Sequence, residues 1–409
     1  MHIAYVCADP GIPVFGTKGA SVHVQEVLGV LLAAGHTVDL FCRRTGGDPT
    51  GTLADAATAG RLTVHRLDRI TDSDVAARER GLVRGDGEMR VALAAAARAR
   101  PFDAVYERYS LWSRAGTRYA GEHGLPSVVE VNAPLPLEQA RHRGLVHTAE
   151  ADAVARDVLS AATAVVCVSE PVAAWARRQA PWARVRVEPN GVNTDRIRTA
   201  YIEGTVPPQQ AKPFTVGFVG TLKPWHGTET LLDAVALLVR DVPDAQLLLV
   251  GDGPQAEPLR RRADDLGIAA ATTFAGAVRP AEVPAWLAAM DAATAPYPAP
   301  ETSGEGAGEA YFSPLKVLEY MAAGLPVVAS AVGQLPDLVD DGRTGILVPG
   351  SDPAALAATL ADLAGDPARR RRLGTAARRE VARSRTWTHV VDRSLAAAGL
   401  HLRPTEVAV

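Results

Sequence analysis

Two parallel-sheet, Rossmann-like domains of the α/β class are what this 409-residue sequence predicts. Three observations lead there. Short apolar runs alternate with longer helical stretches along most of the chain, the pattern of parallel strands joined by right-handed crossovers. The alternation comes in two series, separated by Ala200–Pro213, whose Gly204, Pro207, Pro208 and Pro213 give it linker composition. A chain of this length also exceeds one ordinary core and suits two.

The first series predicts strands at His2–Ala8, Thr37–Cys42, Leu62–Arg66, Ala104–Tyr106, Ser127–Val131, Ala164–Val168 and Val185–Glu188. Amphipathic or Ala-rich helical stretches, Ala20–Ala34, Glu88–Arg100 and Asp152–Ala161, lie between them. Asp68–Gly87 is charged and aperiodic, and reads as a loop, either beside an active site or as a plain surface excursion. The second series predicts strands at Phe214–Val219, Gln246–Val250, Thr272–Ala275, Ala292–Ala295, Pro326–Ala329 and Gly345–Leu347. Helices Pro353–Ala364, Pro367–Arg383 and Trp387–Ala398 close the chain. The expected domains are residues 1–199, a linker at 200–213, and residues 214–385.

Composition narrows the class. Hydrophobic residues make up 47% and the formal net charge is −3, which describes a globular protein with no global attraction to nucleic acid or anionic lipid. The run Arg369–Arg372 reads as a solvated helix face, with a membrane-surface patch as the competing reading. His2–Cys7 enters a strand directly, without the basic leader of a signal peptide, and no apolar run nears the roughly 18 to 20 residues that span a bilayer. Cys7, Cys42 and Cys167 each sit in an apolar strand, as buried thiols of a reducing cytoplasm would. No Asp-x-Asp follows a strand, Asp72-Ser73-Asp74 lies in the charged loop, and His and Cys show no ligand spacing, so metal and cofactor are expected to be absent. Nothing in the sequence reports on oligomeric state.

The chemistry concentrates in Tyr311–Ser330, YFSPLKVLEYMAAGLPVVAS. Ser313, Pro314, Leu315 and Lys316 open a short helix, Glu319 lies one turn in, and Gly324 ends it before an apolar strand. The unpaired N–H groups and positive dipole of such a helix start suit a phosphate. A carboxylate one turn further suits a ribose diol.

This segment, with Gly16–Ala20, Glu130–Leu135, Pro189–Val192, Gly217–Gly220, Lys223–Gly227 and Gly251–Pro254, resembles the retaining family-4 glycosyltransferases. The resemblance covers nearly the whole chain. It implies the GT-B fold, two Rossmann-like domains facing across a cleft, with a returning helix at about 386–409 packed on the first. It also implies an enzyme whose partners are a nucleotide sugar, UDP-linked ahead of GDP-linked, and an acceptor that on this fold is a lipid, a polysaccharide or a small molecule. The lack of an amphipathic basic helix near the N-terminus favours a soluble small-molecule or glycan acceptor, and the lack of a signal peptide favours the cytoplasm. Lys223, His226 and Glu319 become the catalytic set.

Residue by residue, the resemblance puts Gly16, Gly19 and Gly220 against the donor phosphates, although Gly16–Gly19 also reads as an ordinary turn. The family usually offers an Arg and a Lys to the diphosphate; these positions hold Thr221 and His226, with Lys223 nearby as a substitute cation or a solvated loop lysine. Val278 and Arg279 align with a backbone contact to the base. Tyr311 stands where the family has a sugar-contacting Glu, with Glu309 as a neighbouring acid. The acceptor side falls to His23, Tyr106, Glu107, Arg108 and the strand end from Glu130 to Asn132, which are equally readable as strand-end caps. Asn190-Gly191 reads as a structural turn.

Overall fold

The computed structural model describes residues 1–197, 213–299 and 311–402. The expected linker and Glu309 lie outside the described residues, apart from Pro213. The chain divides into two compact units: Met1–Asn190 with Tyr311–Ser313 and Trp387–Val409, and Gly191–Ala310 with Pro314–Thr386.

In the first unit, β1 (His2–Cys7), α1 (Gly19–Ala33), β2 (Thr37–Cys42), α2 (Thr52–Thr58), β3 (Leu62–Arg66), α3 (Val75–Ala99) and β4 (Ala104–Arg108) come first. There follow α4 (Ala115–His123), β5 (Ser127–Val131), α5 (Leu135–His142), α6 (Thr148–Ala161), β6 (Ala164–Cys167), α7 (Glu170–Gln179) and β7 (Val185–Val187). The seven strands are parallel, in the order β3-β2-β1-β4-β5-β6-β7. Near-continuous burial of the five inner strands, β1, β2, β4, β5 and β6, explains their largely apolar runs, while the edge strands β3 and β7 are partly exposed. The three cysteines are buried and unbridged, and burial pushes the Cys42 thiol up to about 11 and that of Cys167 to about 12.

The second unit runs β8 (Thr215–Val219), α8 (Thr228–Asp241), β9 (Gln246–Val250), α9 (Ala256–Asp265), β10 (Thr272–Gly276), α10 (Val283–Ala288), β11 (Ala292–Ala295) and α11 (Leu315–Ala322). Then come β12 (Val327–Ser330), α12 (Leu335–Leu338), β13 (Gly345–Val348), α13 (Pro353–Gly365) and α14 (Pro367–Ser384). Its parallel sheet has the order β10-β9-β8-β11-β12-β13. The last helix, α15 (Trp387–Ala397), belongs to the first unit: Trp387 sets its edge on the His23 ring at 4.6 Å, and Arg393 grips Glu188 at 2.6 and 2.7 Å.

Both sheets reverse strand order at their first strand, β1 against β4 and β8 against β11. The crevice at such a switch point is where open α/β sheets hold ligands. The loop Gly220–Gly227 begins there, directly after β8, whereas Gly16–Gly19 lies further on from β1, past Val14 and Phe15, which donate to the carbonyls of Arg44 and Thr45 after β2.

Three expectations change. The partition falls at Asn190–Gly191, ahead of 199, because Gly191–Ile197 is tied into the second unit: Val192 donates its N–H to the Arg385 carbonyl at 2.9 Å. Much of the supposed loop Asp68–Gly87 is the start of the 25-residue α3. Asp74 caps that helix, accepting from the Ala77 N–H at 2.7 Å, and buried Arg43 fastens it by donating to the carbonyls of Asp68 (2.7 Å) and Gly85 (2.6 Å). The run Arg369–Arg372 is only partly a solvated face. Arg371 and Arg372 are exposed, whereas Arg370 donates to the Leu363 and Ala364 carbonyls that end α13.

Candidate functional site

In the second unit the site is built around β8. The buried Tyr320 of α11 places its hydroxyl 2.7 Å from the Val219 N–H and so fixes this helix against the last residue of the strand. Gly220 follows at φ 150°, a conformation that favours glycine, and a Cβ there would lie 3.0 Å from the Lys316 Nζ. Gly227, at φ 68°, precedes α8; a Cβ on it would strike the Pro296 carbonyl oxygen. Pro314 sits at the N-terminal cap of α11, and among the described residues no side chain caps the first turn from Leu315 and Lys316. Gly324 closes the helix at φ 73°, as its place in the sequence implies.

Glu319 lies one turn into α11, and its Oε1 accepts from Arg196 Nη2 at 2.8 Å. The partner is thus a residue from another element rather than a neighbour on the helix. Arg196 was not foreseen; its sole signal is its position shortly after the Pro189–Val192 motif.

The cations are arranged differently from the expectation. His226 is not one of them: burial, then the charges of Lys316 and Lys223, hold its pKa down to about 4, so the imidazole is neutral at pH 7. Its Nδ1 pairs with the Thr221 carbonyl, which makes Nδ1 the donor and leaves Nε2 as an acceptor. Lys223 leans over the exposed Trp225 ring, 5.5 Å from its centroid. Lys316, expected to contribute backbone N–H groups, instead turns its ammonium inward, 4.1 Å from the Phe218 ring centre and 5.3 Å from that of Tyr297. Arg279 is also corrected. Its N–H and guanidinium both bond Glu282 in a capping box over Pro280–Glu282, so that N–H is not available to a base. Val278 stands half-buried ahead of it.

In the first unit most of the proposed acceptor residues converge on one of their own number, Glu130. The buried Glu130 carboxylate receives His23 Nε2 (2.8 Å), Arg108 Nη1 (2.8 Å), Tyr106 Oη (3.1 Å) and Asn132 Nδ2 (2.5 Å). Burial alone would raise its pKa; His23, Arg108 and Asn132 outweigh that and hold it at about 2. Burial lowers the His23 pKa despite Glu130. The two shifts do not both fit a charged pair. Arg108 carries the compensating charge, and His23 donates as a neutral imidazole.

Glu107 is a correction. It is fully buried, accepts from the Thr117 N–H at the start of α4 at 2.9 Å, and lies against Gly116, where a Cβ would come within 2.6 Å of Oε2. It has no face for an acceptor. Gly16 is glycine because a Cβ would meet Pro13 at 2.8 Å, a local reason needing no phosphate, and Gly19 opens α1 in an exposed position. Tyr311, expected at the donor sugar, packs its ring on the β5–α6–β6–α7 core with its phenol at Glu138, and Ser169 Oγ donates to its carbonyl at 2.7 Å. The Ser313 hydroxyl, expected on the donor, accepts from the Asn190 N–H at 3.1 Å, and Asn190 Nδ2 reaches the Ser313 carbonyl at 2.8 Å. Asn190 has a structural role, in that it anchors this strap.

Residues 213–366 match the family described as glycosyl transferases group 1, and residues 17–196 match glycosyltransferase family 4. A D-inositol 3-phosphate glycosyltransferase of Streptomyces avermitilis is 29% identical over 88% of this chain and 78% of its own length. A GDP-mannose-dependent phosphatidylinositol monomannoside mannosyltransferase of Mycolicibacterium smegmatis is 36% identical over 48% of this chain; the match spans about half (52%) of that relative. Sucrose-phosphate synthase from Thermosynechococcus elongatus has a similar structure (TM-score 0.68, 24% identity, 96% of each chain). So does Anabaena HepE, solved with UDP and glucose (TM-score 0.67, 18% identity, 96% of this chain and 98% of that one).

Proposed function

The chain belongs to the family-4 glycosyltransferases with the GT-B fold, and on that premise we propose that it moves a sugar, with retention, from a nucleoside-diphosphate sugar to a small soluble polyhydroxy acceptor in the cytoplasm. One observation carries the reading: an uncapped helix start, a glycine loop at the switch point, and a carboxylate one turn along the helix all belong to the second unit. The helix start and loop suit a diphosphate, and Glu319 suits the ribose diol. In the proposed step the bond from the anomeric carbon to the diphosphate oxygen breaks. The acceptor hydroxyl attacks from the same face, and its proton passes to the departing diphosphate oxygen. Positive charge at the loop stabilises the charge that develops there. The relative aligned along most of this chain acts on an inositol phosphate, which supports a small polyol acceptor.

The test is a thermal-shift screen of UDP-, GDP- and TDP-sugars, then turnover with pooled acceptors. A donor at about 100 times its Kd should add about 2.7 kcal/mol of stability. Nucleoside-diphosphate release that depends on acceptor supports transfer. Release with water alone would indicate a hydrolase or epimerase, and binding without release a sensor.

A further inference from the structure

We propose that Lys316 supplies the positive charge that meets the donor's diphosphate, acting from beneath the glycine loop. The assignment rests on the proposed donor site and names a residue of it. The residue as a whole is part-exposed, but its Nζ is out of water and has no hydrogen-bond partner among the described residues. An ammonium so placed has three donors unmet, and the Phe218 and Tyr297 rings offset only part of that cost. Its way out leads to the loop, because Gly220 has no Cβ and Nζ lies 3.0 Å from where one would be. The start of α11 is uncapped at the same place, so helix dipole and ammonium point at one anion. The alternatives are weaker: Thr221 is neutral, His226 is neutral, and Lys223 leans outward on Trp225.

Burial brings the Lys316 pKa down to about 7, with Glu319 on the same helix pulling the other way. His226 from the loop and Tyr297 after β11 face it and titrate far from pH 8. A diphosphate arriving at the loop favours the charged form, so the lysine must take a proton from solvent as the nucleotide binds.

Two measurements decide it. UDP and GDP are titrated calorimetrically at pH 8 in buffers of different ionisation enthalpy, with uridine and guanosine as controls. The wild type should take up most of one proton per nucleotide. Lys316→Met should lose that uptake and weaken diphosphate binding by about 10- to 100-fold, leaving nucleoside binding as it was. Unchanged diphosphate affinity in the folded variant would overturn the assignment and spare the donor site. A wild type that binds neither nucleotide overturns both. Should the Met variant fail to fold, Lys316→Gln, read by the same diphosphate and nucleoside titrations, decides.

Discussion

Glu107 and Glu130 sit near the ends of adjacent strands and titrate in opposite directions. Arg108 pairs with Glu130 across β4 and β5, which puts Glu107 on the opposite face. There it meets only the start of α4, and burial raises its carboxyl to about 8 from the ordinary 4.5. The folded state therefore holds a proton that the unfolded chain releases above pH 4.5. Stability contributed by this group falls as pH rises from about 4.5 to 8, by at most about 1.4 kcal/mol per unit. Glu107→Gln should accordingly gain on the wild type across that window when urea unfolding is followed against pH; a flat difference would refute the burial argument. Glu130, held at about 2, behaves inversely. Its contribution is complete above about pH 4.5 and lost as pH falls toward 2. Glu130→Ala should cost about 3–5 kcal/mol near neutrality, since Arg108 stays buried without its partner. At the proposed donor site, Glu319→Ala should weaken nucleoside-diphosphate binding by about 1.5–3 kcal/mol, read by calorimetry; unchanged affinity would remove Glu319 from the ribose.

At the scale of elements, α3 shows how tertiary contacts rescue a segment whose pattern says loop. Its first turns are charged and lack a clear apolar stripe, so periodicity gives no helix there. Two local signals did exist: Asp74 at the cap, and Asp72 accepting from the Asp74 N–H at 3.0 Å. Set aside in the sequence as no metal pair, they are helix-start chemistry. Asp74→Ala should cost about 1 kcal/mol in urea unfolding. Gly85→Ala should cost more, because its Cβ would come within 2.3 Å of the Arg43 guanidinium that fastens the helix. Equal costs would show that the Arg43 clamp yields freely. In α11 the sequence was fully legible, since Pro, Gly and the following strand punctuate both ends.

For the molecule as a whole, two separate sheets each carry a core, and the Gly220–Gly227 loop follows the switch-point strand of the second. Among the described residues no helix is long and apolar enough to cross a membrane, and no group of three or more His, Cys, Asp or Glu is placed to hold a metal. With the helix start and a lysine proposed for the diphosphate, sugar transfer should continue in EDTA. Loss that Mg²⁺ or Mn²⁺ restores would show that the diphosphate is held by a different chemistry.

The sequence by itself determined the α/β class, the strands to within two residues, the family, and the helix that carries Glu319. Each of these rests on local pattern: runs of apolar residues, Gly and Pro punctuation, and motif order survive in one dimension. Tertiary structure alone decided which polar residues are spoken for. His23, Tyr106, Arg108 and Asn132 are scattered over more than a hundred positions and acquire a common partner only when β1, β4 and β5 lie side by side around Glu130. In the sequence His226 reads as a loop cation and Lys316 as a helix-start residue. Their charge states differ because burial and neighbours set a pKa, and those exist only once the chain is packed.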